Sequence, residues 1–145
     1  MFNRANDVPY KRFMKRLHES LLFDWYMEVG CRTGSILAMA RGKSIGVDPY
    51  FLMETNIVGV KPRFLTFQET SDDFFASRFL ETNKIKLSFS FLDGMHLYEY
   101  LLRDFINTEK NSKPGGVIAM HDCCPYDSAM TTRDLENLPR GDWTG

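Results

Sequence analysis

Residues 25–34 read Trp25-Tyr26-Met27-Glu28-Val29-Gly30-Cys31-Arg32-Thr33-Gly34, and a second apolar run, Ile45-Gly46-Val47, closes on Asp48. An apolar run that breaks into glycines, followed by another run ending in a carboxylate, is a strand, a turn, a helix and a second strand. In an open α/β sheet such a unit holds an adenosine-containing ligand. Glycine lets backbone come close where a Cβ would collide, and a carboxylate at the tip of the neighbouring strand accepts hydrogen bonds from ribose hydroxyls. Gly30 and Gly34 are therefore expected at the ligand and Asp48 on its ribose.

Outward from this unit the apolar pattern alternates. Helices are expected over 10–22, 34–41, 71–82 and 96–110, and strands over 25–29, 44–48, 63–67, 86–92 and 117–120. Asp72 and Asp73 suit the start of the third helix, where acids meet the positive end of the dipole. Alternation of this kind implies a mostly parallel sheet covered on both faces, an α/β/α sandwich. Tyr10, Phe13, Met14, Leu17 and Leu21 at helical spacing make 1–22 a covering helix, 23–121 the core, and 122–145, with Pro125, Pro139, Gly141 and Gly145, an irregular tail of a single domain. Phe74, Phe75, Phe79, Phe89, Phe91 and Phe105 fall at core spacing.

Composition limits the function classes. A chain of 145 residues with 43% hydrophobic residues and twelve Phe fills one core. A net charge of −1 supplies no field for nucleic acid or an anionic membrane. No apolar run approaches the roughly 20 residues of a membrane span, and Asp7 and Glu19 interrupt the basic N-terminal stretch in a way transit peptides avoid. A cytoplasmic location is expected. Three cysteines without a CxxC spacing, two of them adjacent (Cys123, Cys124), fit reduced thiols and give no thiolate zinc site.

The glycine turn also separates cofactor classes. A dinucleotide site wants G-x-G-x-x-G under a pyrophosphate, whereas this chain offers only Gly30 and Gly34 with Arg32 between them, and Glu28 two residues ahead repels phosphate but suits an amino group. Together with Asp48 the set resembles the first motif and following acidic position of class I S-adenosylmethionine-dependent methyltransferases. Two further stretches carry the resemblance across about 25–125. Lys113-Pro114-Gly115-Gly116 is similar to the turn that precedes the fifth strand in that superfamily. Asp93-Gly94-Met95-His96-Leu97-Tyr98-Glu99, with Arg103-Asp104 beyond it, is similar to the Asp-Gly-x-His-x-Tyr-Glu signature of a branch containing small-molecule and sugar O-methyltransferases.

The resemblance implies a Rossmann-like sheet in the order 3-2-1-4-5, with the final antiparallel hairpin of the full fold missing, and hence a C-terminally truncated chain. It implies methyl transfer from S-adenosylmethionine to a small-molecule oxygen. Glu28 would lie near the amino-acid end of the cofactor, and Ser71 or Asp72 would bind the adenine unless Thr70 or Ser71 merely caps the helix. Asp93, His96 and Asp122 would face the acceptor, with His96 as general base, since Met95 occupies the place of a carboxylate base in some relatives. Asp93, His121 and Asp122 match a magnesium site of some relatives. His121 departs from the usual carboxylate, and hard Mg²⁺ prefers oxygen donors. A softer divalent ion or plain loop residues are the alternatives there. Rival functions are an NAD-dependent oxidoreductase on the same sheet and a non-catalytic adenosine-ligand-binding domain.

Overall fold

The computed structural model describes residues 8–125, 127–134, 136 and 137. Five parallel strands, β1 (Trp25–Val29), β2 (Lys43–Val47), β3 (Phe64–Phe67), β4 (Leu87–Leu92) and β5 (Ser112–Met120), form one sheet in the order β3-β2-β1-β4-β5. The Rossmann-like α/β architecture and strand order expected from the sequence are present. β1 and β4 are buried along their whole length, which is why neither shows a clean alternation of apolar and polar residues.

Each face has its own core. On one, Met27, Val29, Ile45, Val47 and Leu92 pack with Phe74 of α2 (Ser71–Ala76), Leu80 of α3 (Phe79–Thr82) and Leu101 of α4 (Tyr98–Asn111). On the other, Tyr26, Phe89 and Phe91 lie under Met14 of α1 (Tyr10–Ser20) and Leu37 of a 3-10 turn, Leu37–Met39. Phe74, Phe75, Phe79, Phe89 and Phe91 pack as expected, whereas Phe105 is 36% exposed on the outer side of α4.

Several local expectations are corrected. The segment 34–41 makes only the single 3-10 turn, Leu37–Met39. Gly42 is pinned where a Cβ would stand 1.8 Å from the Phe23 carbonyl oxygen. The helix expected over 71–82 breaks at Arg78, whose φ is +55°. There the Ser77 hydroxyl donates to the Phe74 carbonyl and accepts from the Phe79 amide, offering the backbone a local alternative to the helical ladder. The helix expected from 96 starts at Tyr98 after an extended Leu97, so His96 precedes it rather than opening it.

The Lys113–Gly116 turn does not precede the fifth strand but belongs to it. β5 follows α4 directly, Gly115 takes φ +75°, and pairing with β4 slips between Leu87 and Phe89, as at a bulge. α1 ends at Ser20 and buries Met14 and His18, leaving Phe13 55% exposed and Leu21, beyond it, 49% exposed. The tail contains a 3-10 turn, Ser128–Thr131, with Met130 buried; Asp7, Pro139, Gly141 and Gly145 lie outside the described residues. All three cysteines are free thiols, Cys31 buried and the other two exposed. No helix among the described residues is long and apolar enough to cross a membrane.

Candidate active site

At the carboxyl edge of the sheet, the turns following β1, β2, β3 and β4 enclose a cleft of about 920 Å³ lined by Gly30, Asp48, Ser71, Asp72, Gly94 and His96 among others. This is the edge at which open α/β sheets bind ligands. Asp48, 6% exposed, follows β2; its Oδ2 accepts the Arg32 amide at 2.7 Å and its Oδ1 the Tyr50 amide at 2.6 Å. Two backbone donors thus fix the carboxylate beside the glycine turn, and each oxygen keeps a further lone pair. The cleft is open, and Asp48 lines it.

The two glycines of the turn differ. A Cβ on Gly30, at φ +83°, would stand 2.0 Å from the Asp93 carbonyl oxygen, so glycine here lets the loop after β4 close against the turn. Gly34, at φ +75°, is covered by Ile57 and Met53 and is not among the residues lining the cleft. Between them Arg32 holds φ +37°, strain of the kind that collects at ligand sites.

A second, smaller space of about 450 Å³ adjoins the first, sharing Gly30, Arg32, Asp93 and His96 with it and adding Tyr10, Glu28, His121 and Asp122. Four titratable side chains from two segments, the loops after β4 and β5, converge in it. His121 Nδ1 lies 2.9 Å from Asp93 Oδ1 and 3.3 Å from Asp122 Oδ2. His96 approaches the same carboxylates, Nε2 at 3.7 Å from Asp93 and Nδ1 at 3.6 Å from Asp122. One ligand atom from each of Asp93, His96 and Asp122 fits within 4.8 Å of the others. Asp122 itself sits at φ +46°. The Tyr10 ring lies 4.0 Å from the His121 ring, so the start of α1 forms a wall of this space.

Burial raises the Asp93 carboxyl above the usual carboxylate range, while the two imidazoles oppose that rise. Burial also raises the Tyr10 phenol, with Asp93 and Asp122 adding to the effect. Glu28, 2% exposed, is pushed up to about 8 by desolvation, against the opposing hydrogen bond from the Tyr26 hydroxyl at 2.6 Å. At neutral pH it is a carboxylic acid at the edge of the second space.

At the adenine position inferred from the sequence, Thr70 caps α2, accepting the Asp73 amide at 3.2 Å. Asp72 is gripped by Arg103, Nε to Oδ1 at 3.0 Å and Nη2 to Oδ2 at 2.8 Å. Arg32 and Tyr50 were not singled out from the sequence as site residues, and Tyr10 was read only as part of the covering helix. The first two act through backbone amides, which leave no side-chain signal. Arg103 stood in the motif, but its partner Asp72 was not legible from it.

An open cleft at the carboxyl edge of an α/β sheet, with a fixed acid at the end of the second strand and a titratable cluster beside it, is where sheets of this kind bind their ligands. A family described as a methyltransferase domain matches residues 27–123, the span from β1 to just past β5. The chain belongs to that methyltransferase-domain family. No curated protein sequence matches it.

Proposed function

We propose that the chain transfers the methyl group of S-adenosylmethionine to an oxygen of a small molecule. The observation that carries this reading is the Asp48 carboxylate, held by two backbone amides on the wall of a cleft large enough for a nucleoside. When bound, the sulfonium cofactor supplies an already activated methyl, so the protein has only to align the partners and move a proton. Asp48 takes the ribose hydroxyls, Gly30 and Gly34 shape the turn beneath the cofactor, and Ser71 and Asp72 form the edge that meets the base. Glu28 faces the amino-acid end, where an arriving ammonium draws its carboxyl back to the ionised form.

The second space takes the acceptor. His96, placed between Asp93 and Asp122, accepts the acceptor's hydroxyl proton, and Asp93 and Asp122 stabilise the imidazolium that results. The same cluster supports a metal-assisted version of the reading. An imidazole nitrogen from His96 beside the Asp93 and Asp122 carboxylates suits a borderline divalent ion and fits magnesium poorly. Asp93, His96 and Asp122 would hold the ion, with His121 hydrogen-bonded to Asp93 beside them, and the ion would supply charge for an ionised acceptor oxygen.

Thermal shift with S-adenosylhomocysteine and NAD in competition tests the donor. The reading expects the melting temperature to rise with the first and not the second; the reverse establishes the oxidoreductase. Radiolabelled methyl transfer into a mixed metabolite extract tests the reaction, and binding without transfer to any acceptor would leave only a ligand-binding domain.

A further inference from the structure

The smaller space is sided, and one of its sides has no part in the chemistry described so far. The loops after β4 and β5 bring Asp93, His96, His121 and Asp122 to one wall, where they pair with one another. The start of α1 and the turn after β1 bring Lys11, Arg32, Thr33 and Ser35 to the rest of the lining. All four of these side chains carry hydrogen-bond donors, and two of them are cationic. Among the described residues none of the four makes a side-chain hydrogen bond or ion pair. Arg32 and Thr33 are engaged only through their backbones, and Glu54, an exposed acid on the same lining, pairs with neither cation.

Unpaired donors and an acidic wall around one space of about 450 Å³ suit a small molecule with two unlike ends. We infer that the methyl acceptor is an anionic hydroxy compound, its carboxylate or phosphate held by Lys11 and Arg32 and its hydroxyl turned toward His96. Both sides enforce that pose. An oxyanion is drawn to the ammonium and the guanidinium and repelled by Asp93 and Asp122, so the reversed molecule loses an attraction and meets a repulsion. The Thr33 and Ser35 hydroxyls complete the donor set for the anion. The inference rests on the proposed transfer reading and names the class of acceptor within it.

The test follows the label. Methyl-labelled S-adenosylmethionine and a mixed metabolite extract are incubated with the protein, unreacted donor is removed on a cation exchanger, and the products pass over an anion exchanger at pH 7.5. The label should be retained and released by salt. Phosphatase treatment then sends a phosphate ester into the flow-through and leaves a carboxylate on the resin. Label in the flow-through before that treatment overturns the inference and leaves methyl transfer standing. With the retained fraction of the extract as acceptor, in a dilution series, Lys11→Gln raises the apparent KM about tenfold with little change in kcat, the low end for a charge-assisted hydrogen bond because the site is open to solvent. Lys11→Arg stays within about threefold of the wild type. Lys11 does not line the large cleft, so the dissociation constant of S-adenosylhomocysteine in Lys11→Gln also stays within about threefold. An unchanged KM in both Lys11→Gln and Arg32→Gln overturns the inference even where the product is anionic. Absence of label in any product overturns it together with the reading on which it rests.

Discussion

The two spaces at the carboxyl edge are built in different ways. The large cleft rests on backbone: a positive-φ glycine under the β4 loop, and an acid held by two amides. The small one rests on side chains, with Tyr10, Asp93, His96, His121 and Asp122 arriving from the first helix, the loop after β4 and the loop after β5. Backbone geometry gives a rigid receptor whose shape survives most side-chain changes. A cluster of ionisable side chains gives chemistry that a single substitution redirects.

The contrast breaks most completely at Gly30, one of the residues common to both. Gly30→Ala places a methyl 2.0 Å from the Asp93 carbonyl oxygen at a φ that alanine resists, so the fold should lose more than about 3 kcal/mol and both spaces their shape. Denaturant unfolding of this variant measures it, and near wild-type stability would show that the loop after β4 yields freely. His96→Ala should separate the two spaces. It lowers methyl transfer by about a hundredfold or more while the dissociation constant for S-adenosylhomocysteine stays within about threefold. Equal losses in both would place His96 in donor binding.

Glu28 sharpens the comparison through pH. Its folded carboxyl titrates at about 8, against about 4.5 in the unfolded chain, so between these values the native state keeps a proton that the unfolded state has released. Stability therefore falls as pH rises from about 4.5 to about 8 and is flat above that window with respect to this group. Glu28→Gln should remove that decline, leaving the variant more stable than the wild type by on the order of 4 kcal/mol at pH 8.5 and little different at pH 4. Parallel pH profiles of melting temperature for the two proteins would contradict it. The smallest expected effect is a rise of a few degrees in melting temperature with micromolar Mn²⁺ or Zn²⁺, absent with Mg²⁺ and lost in Asp122→Ala. A response to Mg²⁺ alone would mean that the imidazoles do not ligate.

How far the sequence could be read follows the same division. The strand order, the turn at Gly30 and the acid after β2 come from short-range patterns in which glycine, apolar run and carboxylate each have one local reason to be there. The missing helix over 34–41 and the break at Arg78 lay beyond that pattern, because Gly42 answers to the Phe23 carbonyl and Ser77 to its own neighbours. The cluster was legible in part. Asp93, His96, His121 and Asp122 were named in two overlapping sets, but that Tyr10 from the first helix would pack against His121 depends on how α1 crosses the sheet.

The central claim is that the carboxylate at residue 48 recognises the sugar of a sulfonium nucleoside. Calorimetric titration of S-adenosylhomocysteine into the wild type and into folded Asp48→Ala tests it most directly. The account predicts a single site in the wild type and affinity weakened by about a hundredfold or more in the variant. Equal affinity in the two proteins would contradict it.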